Sequence, residues 1–158
     1  MKSIENILVE QCTAAGISIA VAESCTGGLI AHRITNVAGA SAVFKGGVVS
    51  YANEAKMRLL GVPEDALNAF GAVSEPVALA MAAGVRDALN ADCSVAVTGI
   101  AGPGGGTAEK PVGTVYIAIS APSGARARLY RFSGARDDIK NQTAEAALKF
   151  LLEEADRP

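Results

Sequence analysis

The chain has 158 residues, half of them hydrophobic, and a formal net charge of −2 with both signs spread along the sequence. This length predicts one domain, residues 1–158, and the lack of a basic stripe argues against binding to nucleic acid. No apolar run approaches the roughly 20 residues that a membrane-spanning helix needs, so we expect no membrane association.

The cysteines and the histidine are typical of a cytoplasmic protein without a metal site. Cys12, Cys25 and Cys93 are odd in number and widely spaced, which argues against a disulfide framework and fits a reducing compartment. The chain has one histidine, His32, which is too few for a zinc cluster. The polar N-terminus begins an amphipathic helix and does not resemble a signal peptide, so we expect a cytoplasmic protein.

Helices and strands alternate from the N-terminus onward. The apolar pattern predicts a helix over 3–15, a buried strand from Ile17 to Ala22, and, after a sharp turn, a helix to about Thr35. A second strand is predicted from Val43 to Tyr51. Within it, Gly46-Gly47 indicates a bulge or a close approach of the backbone.

Three helices are predicted after the second strand. Asn53 is expected to cap a short helix that ends at Gly61, and residues 64–69 form another short helix. Ser74-Glu75-Pro76 is a strong helix start, and this helix runs to about Ala88. Its surface of Ala and Val suits either a subunit interface in a homo-oligomer or packing against the sheet.

The second half of the chain is predicted to complete a mixed sheet. Cys93 to Thr98 forms a third buried strand, and residues 99–113 are too rich in Gly and Pro for regular structure. Residues 114–120 and 126–132 predict a β-hairpin, and a final helix covers 137–155. Helices between the first three strands imply parallel pairing, and the hairpin adds an antiparallel strand, so the fold class is α/β.

Reactive side chains follow the first strand, at the turn that leads into a helix. The turn carries Ser24, Cys25 and Thr26 and then Gly27-Gly28. Ligands of α/β proteins bind at the carboxyl ends of strands, and the amides of a helix N-terminus suit an anion or an oxyanion. The simpler interpretation is a capped turn in which Ser24 or Thr26 accepts hydrogen bonds from the first helical amides.

A lysine is the candidate base for a nucleophile at this turn. His32 follows Ser24 by eight residues on the same helix, roughly 12 Å along its axis, and so cannot act on it locally. A lysine with a pKa lowered by burial can accept a serine proton, and the candidates are Lys45, Lys56 and Lys110. Lys56 lies just after the second strand, although a lysine there is more often structural or solvated.

A glycine-rich segment, 98–107, follows the third strand. It matches neither the Walker pattern nor a dinucleotide fingerprint, so it is either a mobile connection or a cradle of backbone amides for an anion. Arg136 can reach a phosphate from the start of the final helix or can simply be solvated. The Ser24 turn, the segment 51–56 and the segment 98–113 each follow a predicted parallel strand, so we expect these three loops to converge at one edge of the sheet.

Five ordered blocks resemble the C-terminal domain of the competence/damage-inducible protein CinA, and together they cover roughly residues 4–153. The blocks are AESCTGGL at 22–29, GGVVSYANEAK at 46–56, GAVSE at 71–75, TGIAGP at 98–103 and EKPVGTVY at 109–116. The resemblance implies a three-layer α/β/α sandwich around a mixed, mostly parallel five-stranded sheet with one antiparallel strand.

The same resemblance implies an amidohydrolase of pyridine nucleotide recycling. Its substrate would be nicotinamide mononucleotide, hydrolysed to nicotinate mononucleotide and ammonia without a metal or an organic cofactor. The family's serine, lysine and supporting threonine fall on Ser24, Lys56 and Thr98. Thr98 is expected to orient one of the other two. The chain departs from the family at Gly104-Gly105-Gly106, where the family often has a hydroxyl residue.

The remaining expected contacts are with the substrate. The N–H groups of Cys25, Thr26 or Gly27-Gly28 would stabilise the oxyanion, and Tyr51 would pack on the ring or bind Lys56. The expected phosphate contacts are Gly99, Ala101, Gly102, Gly104, Gly105 and Arg136. Two alternatives stay open: Cys25 as the nucleophile, and a nucleotide-binding or regulatory module without amidase activity.

Overall fold

A five-stranded mixed sheet divides the computed structural model, which describes residues 1–156, into two helical layers. The strands lie in the spatial order β2-β1-β3-β4-β5. The first three strands are parallel to one another, β4 is antiparallel to β3, and β5 is antiparallel to β4. The predicted fold class is therefore confirmed. The strand bounds are β1 Ile19–Glu23, β2 Phe44–Val49, β3 Cys93–Gly99, β4 Thr114–Ala121 and β5 Gly124–Arg131.

Helices cover both faces of this sheet. The first, second and sixth helices share one hydrophobic core with the sheet, and the fifth packs on the opposite face with the third and fourth beside it. No helix within residues 1–156 is long and apolar enough to cross a membrane. The helix bounds are α1 Ile4–Ala15, α2 Leu29–Thr35, α3 Asn53–Leu60, α4 Glu64–Phe70, α5 Glu75–Ala88 and α6 Arg136–Ala155.

The two faces of the sheet differ in the size of their side chains. Val21 and Val95 point into the core under α1, α2 and α6, whereas their neighbours Ala22 and Ala96 point toward α5. Successive side chains of a strand alternate between faces, so one face is lined by branched residues and the other by alanines. The small face lets α5 pack close to the strands.

Most predicted elements lie within two residues of the observed ones, and two details differ. Asn53 is the first residue of α3 rather than its cap, because Ala52 occupies the N-cap position in an extended conformation. Part of the predicted loop before β2 forms a short 3₁₀ helix, Ala40–Ala42. The small residues of α5 face the sheet, as Ala78, Ala82 and their apolar neighbours are fully buried.

Both expectations for Gly46-Gly47 are confirmed. The β1–β2 register slips between Ile19 and Ala20, so that Ile19 pairs with Phe44 and Ala20 pairs with Gly46. A Cβ on Gly47 would lie 2.8 Å from Val21 Cγ2, closer than side chains approach one another. The pair of glycines therefore absorbs a bulge and a close strand contact at one place.

The helix that carries Lys56 is held against α5 by another close approach. A Cβ on Gly84, in the middle of α5, would lie 1.9 Å from the carbonyl oxygen of Leu60, the last residue of α3. Only a residue without a side chain leaves room for that carbonyl. This contact fixes the end of α3 relative to the sheet.

We expect Gly84→Ala to lower the free energy of unfolding by about 3 kcal/mol, as overpacking does. Helix propensity alone predicts the opposite sign, a gain of about 1 kcal/mol. The measurement is urea unfolding, with Gly104→Ala as the control, since no atom lies within 4 Å of a Cβ on Gly104. A neutral or stabilising Gly84→Ala would mean that α3 and α5 are not in close contact.

Candidate active site

A serine and a lysine meet at the carboxyl end of β1. Ser24 follows β1 directly, and Lys56 lies in the second turn of α3 with only 1% of its surface exposed. The Lys56 Nζ donates a hydrogen bond to Ser24 Oγ at 3.0 Å, to the Ser50 carbonyl at 2.8 Å and to the Tyr51 carbonyl at 3.2 Å. A nucleophile and a candidate base are thus within hydrogen-bond distance.

Strand pairing brings these two residues together. Glu23, at the end of β1, pairs with Val49, and the Ser50 N–H donates to the Glu23 carbonyl at 2.8 Å, one step beyond β2. The chain then turns into α3, and its second turn returns Lys56 to Ser24. The parallel β1–β2 ladder is therefore what sets the distance between residues 32 positions apart.

Burial lowers the pKa of Lys56 below the usual range of a lysine, because the charged form loses its hydration. No carboxylate within residues 1–156 forms an ion pair with Lys56 that would hold the proton on it. Lys56 is thus suited to act as a base.

The N-terminus of α2 is already filled by a side chain of the protein. Glu23 is fully buried, and its Oε1 accepts hydrogen bonds from the Thr26 hydroxyl, the Gly28 N–H and the Ile30 N–H at 2.6, 3.1 and 3.0 Å. Its Oε2 accepts from the Ala31 N–H at 3.0 Å. The predicted cap by Ser24 or Thr26 is wrong, since the Glu23 carboxylate caps this helix.

This cap narrows the choice of oxyanion donors. The Gly27 N–H donates to the Ser24 carbonyl, and the Gly28 N–H donates to Glu23, so neither glycine amide is free for a ligand. In the described part of the chain, the N–H groups of Cys25 and Thr26 donate to no other residue. The two amides that follow Ser24 are therefore left without a protein acceptor among the described residues, and of these two residues Cys25 lines the cavity.

Cys25 lies in the site but is not an activated thiol. Its side chain is 7% exposed, and burial raises its pKa to about 11, so the thiol stays protonated near neutral pH. His32 is bonded to Asn36, one turn along α2, and does not face Cys25. The geometry thus favours Ser24 over Cys25 as the nucleophile.

A cavity of about 210 Å³ opens at this pair. Its described lining includes two basic side chains, Lys56 and Arg136, and no carboxylate. Asn53, Ala72 and Val73 also line the cavity, although the sequence did not predict them. Asn53 could have been found from the sequence, because it lies one helical turn before Lys56. The full lining is Ser24, Cys25, Tyr51, Asn53, Lys56, Ala72, Val73, Thr98, Gly99, Ala101 and Arg136.

Two expected contacts take a different form in the structure. Thr98 lines the cavity, but its hydroxyl donates to the Ala72 carbonyl at 2.9 Å rather than to Ser24 or Lys56. It therefore joins the end of β3 to the segment before α5. The Tyr51 hydroxyl accepts from Arg136 at 3.2 Å, and it is the Tyr51 backbone carbonyl that binds Lys56.

The glycine-rich segment contributes less than its composition suggested. Gly99 and Ala101 line the cavity, whereas Gly104 and Gly105 do not. Gly102 uses its carbonyl to accept a hydrogen bond from Arg136 at 2.6 Å. Thr26, Gly27 and Gly28 also lie outside the cavity lining. Within residues 1–156, no group of three or more His, Cys, Asp or Glu side chains is arranged to hold a metal ion.

Comparison with known proteins gives one consistent family. The family model of the CinA C-terminal domain matches residues 1–155. A CinA-like protein of Geobacter sulfurreducens is 58% identical over 136 residues, which are 86% of this chain and 33% of the relative. A CinA-like protein of Anaeromyxobacter dehalogenans is 51% identical over 94% of this chain and 36% of its own length. The chain thus spans about a third of these relatives.

Solved structures match over nearly the whole chain. The competence/damage inducible protein CihA from Agrobacterium tumefaciens superposes with a TM-score of 0.94 at 44% identity, over 98% of this chain and 94% of that one. A competence-damaged protein (CinA) superfamily protein from Enterobacter cloacae superposes with a TM-score of 0.92 at 30% identity, over 99% and 94%.

We expect Glu23→Ala to lower the free energy of unfolding by about 3 kcal/mol or more. Four donors lose their acceptor, and each buried donor without a partner costs about 1–3 kcal/mol. Water molecules that enter the space left by the side chain recover part of this cost. Urea unfolding measures this, with Glu75→Ala as the control. Glu75 is an exposed acid in the first turn of α5, so its loss should cost only about 0.5 kcal/mol. Equal losses in both variants would contradict the structural role of Glu23.

Proposed function

The chain belongs to the CinA C-terminal domain family, and on that premise we propose that it is an amidohydrolase that converts nicotinamide mononucleotide and water to nicotinate mononucleotide and ammonia. The observation that carries this proposal is the hydrogen bond between Ser24 Oγ and the buried Nζ of Lys56. A serine paired with a lysine that can lose its proton is suited to acyl transfer.

The surroundings of Lys56 orient its lone pair. A neutral amine has two N–H donors and one lone pair, and three oxygen atoms surround this Nζ. The carbonyls of Ser50 and Tyr51 can only accept, so they take the two N–H groups. In this neutral form the lone pair faces the Ser24 hydroxyl, so the hydrogen bond between Nζ and Oγ reverses and Ser24 becomes the donor, which is the arrangement that a general base requires.

The reaction follows from this arrangement in two halves. Ser24 Oγ attacks the carboxamide carbon, its proton passes to Lys56, and Lys56 returns that proton to the departing ammonia. A water molecule then attacks the acyl-enzyme, gives its proton to Lys56 and releases the carboxylate product, while Ser24 recovers its proton. The free N–H groups of Cys25 and Thr26 would stabilise the oxyanion, each by about 3–4 kcal/mol if well placed.

The charge of the cavity supports an anionic substrate. Arg136 lines it as a cation, and none of the described lining residues is a carboxylate, although the whole chain carries a net charge of −2. The single acidic group at the Ser24 turn, Glu23, is occupied by four hydrogen bonds. A nucleotide phosphate complements this distribution of charge. The ring of Tyr51, which is 62% exposed at the cavity, is available to pack on a pyridine ring.

We expect Ser24→Ala and Lys56→Met each to lower kcat/KM on the order of 10³-fold, because one removes the nucleophile and the other the base. Ammonia release from nicotinamide mononucleotide measures this. Lys45→Met is the control, since Lys45 is exposed on β2 and should leave turnover unchanged. Circular dichroism checks that each variant is folded.

Adding a Cys25→Ala variant and a binding measurement to this assay tests the two alternative functions. An active Ser24→Ala protein together with an inactive Cys25→Ala protein would make Cys25 the nucleophile. A wild-type protein that binds the mononucleotide and releases no ammonia would be a binding or regulatory module of the same fold.

We expect kcat/KM to rise with pH and then reach a plateau. Lys56 must be unprotonated to accept the serine proton, so activity grows about tenfold per pH unit below its pKa and levels off above it. Because burial lowers that pKa, the plateau begins at a lower pH than for an ordinary lysine. Rates of ammonia release across a pH series measure this, and a kcat/KM that falls as pH rises through this range would contradict a neutral Lys56.

A further inference from the structure

We propose that Lys140 and Arg136 form an anion subsite over the turn at residues 24–28, and that this subsite binds the substrate's phosphate and selects phosphorylated amides. The identity of the substrate rests on the function proposed above. The position of the subsite rests on the two cations and on the groups around them.

Both cations lie on the face of α6 that is turned toward the Ser24 turn. They are four residues apart, so their side chains are neighbours on one helix face. Arg136 lines the cavity. The Lys140 Nζ lies 3.9 Å from the position of a Cβ on Gly27, three residues after the nucleophile. In agreement with this position, the Lys140 charge acts to lower the pKa of Cys25, against the larger effect of burial.

Neither cation has a counter-ion in the structure. Within residues 1–156, Lys140 and Arg136 form no ion pair, whereas Arg33 and Arg126 are paired with glutamates. Asp138, on the same turn of α6, accepts the Ala135 N–H. Two like charges four residues apart on a helix repel each other, so an anion bound between them is stabilised by both.

The other anion sites that the sequence offers are closed. Glu23 occupies the N-terminus of α2. Gly104 and Gly105 lie outside the cavity lining, and Gly102 turns its carbonyl toward Arg136. Among the phosphate contacts expected from the sequence, Arg136 is the charged donor at the cavity, and Lys140 is a second cation beside the same turn. The proposed position of the phosphate is therefore between α2 and α6 rather than on the glycine-rich segment.

The test compares a phosphorylated substrate with its unphosphorylated counterpart. We expect Lys140→Ala to lower the ratio of kcat/KM for nicotinamide mononucleotide to that for nicotinamide riboside about tenfold or more, the scale of a charge-assisted hydrogen bond. Lys140→Arg should keep most of the ratio, because it retains the charge. The control is Lys149→Ala on the same helix, roughly 13 Å farther along its axis and paired with Glu145, which should leave the ratio unchanged.

The remaining outcomes separate a failure of the proposed subsite from a failure of the proposed enzyme activity. An unchanged ratio, or an equal loss on both substrates, would overturn the role of Lys140 in phosphate binding. If the wild-type protein releases no ammonia, the proposed function fails, and calorimetric titration with nicotinate mononucleotide and nicotinate riboside still tests the subsite. Weaker binding of the mononucleotide alone in Lys140→Ala supports it, and equal binding by wild type and variant overturns it.

Discussion

The burial of Lys56 without a carboxylate partner is the constraint on which the candidate site depends. Taking an ammonium out of water costs several kcal/mol unless it is paired or loses its proton. Around this Nζ lie the Ser24 hydroxyl and the carbonyls of Ser50 and Tyr51, a set that satisfies a neutral amine completely. Burial lowers the pKa of Lys56, and in the proposed neutral form the two carbonyls would take its N–H groups and leave the lone pair facing the Ser24 hydroxyl.

The negative charge nearest the nucleophile is kept away from the lysine. Glu23 precedes Ser24 in the chain, yet its carboxylate turns to the first amides of α2 and forms no ion pair with Lys56 in the described structure. An ion pair between them would hold the proton on the lysine and remove the base. Because helix amides satisfy Glu23 and backbone carbonyls satisfy Lys56, the two buried groups lie close together without neutralising each other.

The unequal faces of the sheet explain how α3 reaches β1. Alanines on one face of the sheet let α5 approach the strands. Gly84 leaves room on α5 for the carbonyl group of Leu60, at the end of α3. Lys56 is one turn before that contact. Small residues outside the candidate site thus determine where Lys56 lies, because closely packed elements cannot shift freely relative to one another.

The sequence alone determined the α/β class, the order of the elements and the family, because these depend on apolar periodicity, glycine and proline signals and ordered motifs. Residue types and positions after two parallel strands made Ser24 and Lys56 candidates, and the family resemblance singled them out from Cys25, Lys45 and Lys110. Tertiary structure alone decided the role of Glu23, the closure of the Gly27 and Gly28 amides, the Thr98–Ala72 hydrogen bond and the place of Lys140 beside Gly27. The reason is physical: a residue's type limits which hydrogen bonds it can form, but only packing decides which partner comes within 3 Å.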